Sequence, residues 1–248
     1  MRSFVDIHCH ILPGLDDGAR DWDETLAMAR QAVAQGVRRV IATPHQSGQF
    51  PANTPDRILA RVFEAQERLR IAGITLELLP GADVRVTEHL IAKLAYNEIM
   101  TLGNLGKHLL LELPPDLALS LDELLYELEL RGVRSILSHP ERNTALQADT
   151  ALLKRLVSQG CLLQVTAGSF LDRFGRAARR TAFRLLHDGL VHIVASDAHN
   201  ERDRVIDMDT ACAIVTREVG DEASDKMFRI IPTLITEGVD YDPPLPYG

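Results

Sequence analysis

Short apolar runs alternate with longer amphipathic stretches along most of the chain, and this alternation constrains the fold more than any other feature. The apolar runs have the length of buried strands, and the amphipathic stretches have the length of helices. Seven predicted strands span Phe4–His8, Arg39–Thr43, Thr75–Leu79, His108–Leu113, Ser135–Ser138, Leu162–Thr166 and His192–Ser196. Six predicted helices span Asp23–Gln35, Pro55–Ala72, Thr87–Tyr96, Ser120–Arg131, Asp149–Gln159 and Arg176–His187.

Strands that alternate with helices in this way predict parallel β/α units. Several predicted helices end in a glycine just before the next strand, as at Gly36 and Gly73, where a left-handed residue closes the helix. Seven such units with short loops predict an α/β fold, a distorted (β/α)7 barrel similar to a TIM barrel. A doubly wound open sheet is the structural alternative.

No linker, repeat or low-complexity stretch divides the 248 residues, so we predict one domain over residues 1–248. Within it, residues 208–248 are predicted to form a C-terminal helical tail. The tail ends in DPPLPYG and is a candidate interface for a homo-oligomer.

Bulk composition excludes several classes of protein. Hydrophobic residues make up 46% and charged residues 25%, as in soluble globular proteins. The net charge of −8 disfavours nucleic-acid binding and anionic membranes, which need a basic surface. The start MRSFVDIHCH has no signal-peptide pattern, and no apolar run approaches the ~20 residues that span a bilayer. With three widely spaced cysteines, these features predict a cytoplasmic protein with reduced thiols.

Six of the seven predicted strands end in residues of the types that ligate metals. Reactive groups of a β/α barrel stand at these strand ends, and alternation along the first strand points both of its histidines the same way. The residues are His8, His10, His45, Asp83, Glu112, His139, Asp197 and His199, with Asp17 in the turn after the first strand. Five imidazoles and four carboxylates exceed the ligand set of one zinc ion, and the carboxylates would repel one another without cations. The pattern predicts a site for two or three divalent ions.

Taken singly, each of these histidines also fits an ordinary buried or half-exposed position. The remaining four histidines lie in or beside helices and strand starts, and we interpret them as structural. They are His89, His108, His187 and His192.

A multinuclear site with arginines nearby suits hydrolysis of a phosphate ester, because bound cations lower the pKa of a water to about 7. Arg142 follows His139, and Arg204 follows His199, so both arginines are placed to stabilise phosphoryl oxygens. Surface ion pairs are the alternative role for each arginine. No cysteine is followed by arginine six residues later, and neither G-x-G-x-x-G nor G-x-S-x-G occurs.

The motifs DIHCHILPGLDDGA, ATPH, LPGADVRV, LLLELP, SHPERN, QVTAGSFLDRFGR and ASDAHN occur in this order over residues 3–205. Together they resemble the bacterial PHP-type, manganese-dependent protein-tyrosine phosphatases of capsule and exopolysaccharide clusters. The resemblance implies the PHP fold, a trinuclear site with the nine ligands named above, and phosphate binding by Arg142 and Arg204. Manganese is the implied metal, with iron, cobalt and zinc as alternatives.

The implied substrate is phosphotyrosine, particularly in the tyrosine-rich tail of a bacterial tyrosine kinase, with attack by a metal-activated hydroxide. One position departs from the family, which usually has glutamate where this chain has Asp83, and the shorter side chain puts the third ion in doubt. Asp16 is interpreted as a turn residue or a partner of a ligand. The arginines of DRFGRAARR fit either an acidic phosphopeptide or a solvated helix face.

Two other functions remain open at this level. A small-molecule PHP phosphatase, for instance one that hydrolyses histidinol phosphate, would have the same metal site and a different rim. A non-catalytic PHP scaffold would tend to lose ligands, and all nine positions here still carry ligand-type residues.

Overall fold

Each strand of this protein pairs in parallel with its neighbours. The structure is a computed structural model that describes residues 3–116 and 120–242. Because parallel strands need a crossover, helices occupy most of the connections. The strands are β1 (Phe4–Cys9), β2 (Val37–Ala42), β3 (His45–Gln46), β4 (Glu77–Pro80), β5 (Asp83–Arg85), β6 (His108–Glu112), β7 (Arg134–Ser138), β8 (Leu162–Thr166) and β9 (Ile193–Ala195).

Two sheets together form one distorted barrel, and their strand orders are β1-β2-β4 and β3-β5-β6-β7-β8-β9. Thr43 and Pro44 separate β2 from β3, and Gly81 and Ala82 separate β4 from β5. After each of these two breaks, the structure adds a short strand beyond the end of a predicted one, since the predicted strands stop at Thr43 and Leu79. The ring continues from β9 back to β1, because Cys9 forms a parallel bridge with Ala198. The predicted α/β barrel is therefore correct, and the two breaks explain why nine short strands stand where seven were expected.

The six predicted helices are present, and three more lie in the segment 208–248, which was predicted to be helical. Two short helices, at Thr144–Ala148 and Ala167–Phe170, are additions that the hydrophobic pattern did not indicate. The helices are α1 (Trp22–Ala34), α2 (Pro55–Ile71), α3 (Leu90–Ala95), α4 (Asp122–Leu130), α5 (Thr144–Ala148), α6 (Thr150–Ser158), α7 (Ala167–Phe170), α8 (Gly175–His187), α9 (Met208–Val219), α10 (Asp221–Asp225) and α11 (Ile231–Thr236). A π-helical turn at Lys226–Ile230 joins α10 to α11. Local signals set several ends: the Asp21 side chain accepts from the N–H of Glu24 at 2.9 Å, and Gly36 closes α1 at φ 85°.

Alternation along the strands divides the apolar side chains between two clusters. Leu110 belongs to a smaller cluster to which strands from both sheets contribute, whereas Leu109 and Leu111 belong to the large cluster shared with the surrounding helices. Ile231 and Ile235 of α11 complete the smaller cluster. Helices of the predicted tail thus pack on the barrel.

The organisation of the chain as one domain stays a prediction, and the residues after Asp242, which complete the DPPLPYG segment, lie outside the described part. Cys9, Cys161 and Cys212 are buried thiols. No described helix combines the length and the hydropathy that crossing a bilayer requires.

Candidate metal centre

All nine predicted ligand residues meet where the barrel strands end. Their ligand atoms form four overlapping groups, and within each group the atoms lie within 4.8 Å of one another. The groups are His10, Asp17, His45 and His199; His8, His10 and Asp197; His8, Asp83 and His139; and His45, Asp83 and Glu112. Four residues belong to two groups each, which favours several neighbouring ions over one. The binding of metal by each residue stays a prediction.

His8 in β1 and His10 directly after it supply two of these imidazoles, whose Nε2 atoms lie 3.1 Å apart. The following turn folds back on His10 so closely that a Cβ at Gly18 would lie 2.2 Å from the His10 carbonyl oxygen. Only glycine fits that approach. The turn thereby brings Asp16 within 2.6 Å of His10 Nδ1, while the same carboxylate accepts from the His45 N–H at 2.8 Å. Asp16 therefore fixes the His10 ring with Nε2 turned into the cluster.

Asp83 is the strongest indication that cations belong here. Its side chain is fully buried, and neither carboxylate oxygen has a hydrogen-bond partner among the described residues. Two imidazole nitrogens lie close to Asp83 Oδ2, His45 Nδ1 at 3.4 Å and His8 Nε2 at 3.6 Å. Burial of a carboxylate without donors is costly, and two ligands that each lie about 2.1 Å from one ion are separated by similar distances. The donor set therefore fits divalent ions.

The imidazoles differ in their protonation. Burial lowers the pKa of His8 and of His199 to about 4, so both rings are neutral, as ligands must be. Burial also disfavours the charged form of His45, but the nearby carboxylates of Asp83 and Glu112, each 3.4 Å from His45 Nδ1, outweigh it and raise the pKa of His45 to about 11. Without cations, the protonated His45 ring offsets part of the carboxylate charge.

Both predicted arginines converge on one carboxylate. Arg204 Nη2 lies 2.8 Å from Asp197 Oδ2, and Arg142 Nη1 contacts the same oxygen. Burial alone would raise the pKa of Asp197, but Arg142, His8 and Arg204 hold it well below its usual range. The arginines border a cavity of about 260 Å³ whose other lining residues include Asp17, His45, Glu112, His139 and the apolar Leu113, Pro115 and Leu146.

Sequence reasoning missed a third arginine in this cavity. Arg85 Nη2 lies 2.9 Å from Glu112 Oε2. The signal was available, because Arg85 stands two residues after Asp83 in LPGADVRV, and alternation places both on the same side of a strand. The sequence also did not indicate that Phe50 lies at the site. Its ring stacks on His45 with centroids 5.5 Å apart.

Glu141 lies between His139 and Arg142 in SHPERN, and the structure gives it a positioning role. Its side chain is fully buried, and Oε1 accepts from the Thr166 N–H at 3.0 Å and from the Ser169 hydroxyl at 2.7 Å. These bonds tie the segment with His139 and Arg142 to the end of β8. Because the partners are 25 and 28 residues away in sequence, no local pattern indicates them.

The four histidines predicted to be structural lie outside the four ligand groups. His192 Nδ1 accepts from the Leu163 N–H at 2.9 Å, and His187 lies 3.0 Å from Glu218. These contacts agree with the structural interpretation of both residues.

Fold and site together define a parallel β/α-barrel protein whose strand ends carry a candidate centre for several divalent ions beside two arginines. The chain belongs to the capsular polysaccharide synthesis family CpsB/CapC, whose model matches residues 4–237. This agrees with the resemblance carried by its motifs.

Individual relatives cover nearly the whole chain. The tyrosine-protein phosphatase YwqE of Bacillus subtilis is 35% identical over 95% of this chain and 90% of its own length. The tyrosine-protein phosphatase CpsB of Streptococcus agalactiae is 30% identical over 90% of this chain and 94% of its own length. A crystal structure from work on YwqE and on CpsB of Streptococcus pneumoniae, described as metal-dependent tyrosine phosphatases, superimposes with a TM-score of 0.92 at 34% identity, covering 98% of this chain and 99% of that one.

Proposed function

We propose that this chain is a metal-dependent protein-tyrosine phosphatase. The observation that carries the proposal is the presence of four overlapping ligand groups and two arginines around one cavity. The description of YwqE and CpsB as metal-dependent tyrosine phosphatases supports the same activity here. We further propose two or three bound ions, with manganese as the metal and iron, cobalt or zinc as alternatives.

The ions would be held by the residues of the four groups. When bound, they supply Lewis acidity, which lowers the pKa of a water and neutralises phosphoryl charge. The residues are His8, His10, Asp17, His45, Asp83, Glu112, His139, Asp197 and His199.

Arg142 and Arg204 orient the phosphate group. Because both guanidinium groups meet at Asp197, their N–H groups converge on one part of the cavity wall. A guanidinium donates two parallel hydrogen bonds to phosphate oxygens, so the pair holds the phosphoryl group and stabilises the charge that develops on it. Phe174 supports this arrangement, since its ring centroid lies 4.3 Å from the Arg142 guanidinium carbon.

The rest of the cavity suits an aromatic leaving group. Leu113, Pro115 and Leu146 contribute an apolar surface on which a phenyl ring can lie. A phenolate leaves readily because phenol has a pKa of about 10, far below that of an alkyl alcohol. The reaction therefore does not depend on a strong general acid, and the mechanism assigns none.

For the physiological substrate, we propose the tyrosine-rich tail of a bacterial tyrosine kinase that acts in capsule or exopolysaccharide synthesis. The description of the family by capsular polysaccharide synthesis supports that setting. A cytoplasmic location and a homo-oligomer stay predictions from the sequence.

The test is phosphate release from a phosphotyrosine peptide and from histidinol phosphate, each measured with added manganese and with chelator. We expect manganese-dependent turnover of the phosphotyrosine peptide and little turnover of histidinol phosphate. A preference for histidinol phosphate would assign the protein to small-molecule phosphatases. Turnover of neither substrate by manganese-loaded protein would contradict the proposed activity and favour a scaffold.

A further inference from the structure

Helix α8 carries four arginines and no acidic residue. Most arginines of α2 are arranged differently, because Arg61, Arg68 and Arg70 each lie beside a glutamate of the same helix. Arg68 Nη2 is 2.8 Å from Glu64, and Arg70 Nη2 is 2.7 Å from Glu67. Such pairs stabilise a helix, so the composition of α8 does not serve the stability of that helix.

Arg176, Arg180 and Arg184 follow one another at intervals of four residues and are all exposed. Side chains at this spacing are neighbours on a helix, and like charges there destabilise it. Arg184 donates to the Gln147 carbonyl at 2.6 Å, but neither Arg176 nor Arg180 forms an ion pair within residues 3–116 and 120–242. The positive charge of these three residues, the α8 arginine face, is therefore directed to solvent.

The α8 arginine face begins at the rim of the candidate site. Phe174, the residue before α8, packs against the guanidinium of Arg142, which lines the cavity. The 13 residues of α8 extend about 20 Å from this point at 1.5 Å per residue. An extended peptide of about six residues has the same length.

We propose that the α8 arginine face binds an acidic segment that flanks the phosphotyrosine of a protein substrate. The inference rests on the proposed function and adds the substrate class to it. Charge complementarity supports this occupant, because a face of exposed arginines on a chain with a net charge of −8 attracts an acidic peptide more strongly than the average of the surface does. Arginine also binds carboxylate and phosphate groups through paired hydrogen bonds. Substrates with acidic flanks are thereby selected over neutral ones.

The test compares two charge-matched variants of the full chain. In the first, Arg176→Gln and Arg180→Gln remove charge from the α8 arginine face. In the control, Arg68→Gln and Arg70→Gln remove the same charge from α2, which packs against β4. The substrates are two phosphotyrosine peptides of identical length, one flanked by Asp and Glu and one by Asn and Gln.

We expect the wild type to show a higher kcat/KM for the acidic peptide than for the neutral one. In the α8 variant, this ratio should fall about three- to tenfold through KM, because two exposed ion pairs are lost. The control should keep the wild-type ratio, and added salt should reduce the ratio in the wild type and in the control. An unchanged ratio in the α8 variant, or an equal fall in the control, would overturn the proposal.

Binding separates this inference from the proposed phosphatase activity. Fluorescence polarisation with the labelled acidic phosphopeptide should show weaker binding by the α8 variant than by the control. If no phosphopeptide is hydrolysed but this difference remains, the activity fails and the docking surface stands. If both peptides are hydrolysed and the variants bind the acidic peptide equally, the docking surface fails and the activity stands. If the α8 variant loses as much affinity for an oligonucleotide of similar charge as for the acidic phosphopeptide, the face attracts anions in general. That result would also refute the proposal.

Discussion

Replacement of Asp83 by asparagine tests the candidate metal centre at the residue that its geometry makes most important. Asn has nearly the same size as Asp but is neutral and a poorer metal ligand. Asp83 belongs to two of the four ligand groups, so its replacement should weaken the binding of up to two ions at once. The side chain is fully buried, so water cannot readily substitute for the missing carboxylate.

The expected size follows from linkage between binding and folding. An ion present at 100 times its Kd stabilises the folded state by about 2.7 kcal/mol. In a chain of this size, 1 kcal/mol shifts Tm by roughly 2–4 °C, so each ion should raise Tm by about 5–11 °C. Asp83→Asn should lose between one and two such increments.

The assay is thermal unfolding with manganese and with chelator, for the wild type, Asp83→Asn and the control Asp56→Asn. Asp56 is an exposed carboxylate in the first turn of α2. We expect the wild type and the control to show the same metal-dependent rise in Tm. If Asp83→Asn shows that same rise, Asp83 does not bind the ions and the argument from its unpartnered oxygens is wrong.

Three further changes test how the site is held together. Asp16→Asn should weaken manganese binding by about 10- to 100-fold in calorimetry, because the orienting partner of His10 loses its charge; unchanged affinity would contradict that role. His10→Ala should abolish phosphatase activity while circular dichroism shows a folded protein, and a folded variant with wild-type activity would exclude His10 as a ligand. Glu141→Ala should lower kcat/KM about tenfold by releasing the Arg142 segment, whereas Glu141→Gln, which keeps the acceptor oxygen, should restore it; equal activity of the two variants would refute the positioning role.

The sequence predicted which candidate ligands lie together, because the topology of the fold brings the ends of its strands to one place. Once strands and helices alternate, parallel strands must deliver their ends to one face, and residues far apart such as His8 and Asp197 become neighbours. The doubt over Asp83 came from side-chain length alone. The structure places its shorter side chain in two ligand groups. Asp83 begins β5, which lies beyond the end of the third predicted strand at Leu79.

The partners that hold the ligands were less accessible to sequence reasoning. The bond from Asp16 to His10 depends on how the turn folds back, and the bonds of Glu141 depend on the position of β8. Hydrophobic periodicity reports which face of an element is buried, but it does not report which buried polar groups meet. The breaks at Pro44 and Gly81 were hidden for a similar reason, since a short strand of two or three residues carries no period.

Backbone conformation at two ligand positions runs against local preference, which explains why no sequence pattern indicates it. His139 adopts φ 34° and ψ 50° although the next residue is Pro140, and a residue before proline prefers extended backbone. Asp197 also has a positive φ, of 50°. Each such residue costs about 1–3 kcal/mol. Tertiary contacts offset this cost, since the Asp197 N–H donates to the His8 carbonyl at 2.8 Å and its carboxylate meets both arginines. The strain thus lies in the backbone of two residues of the candidate centre, where it sets the direction in which their side chains leave the chain.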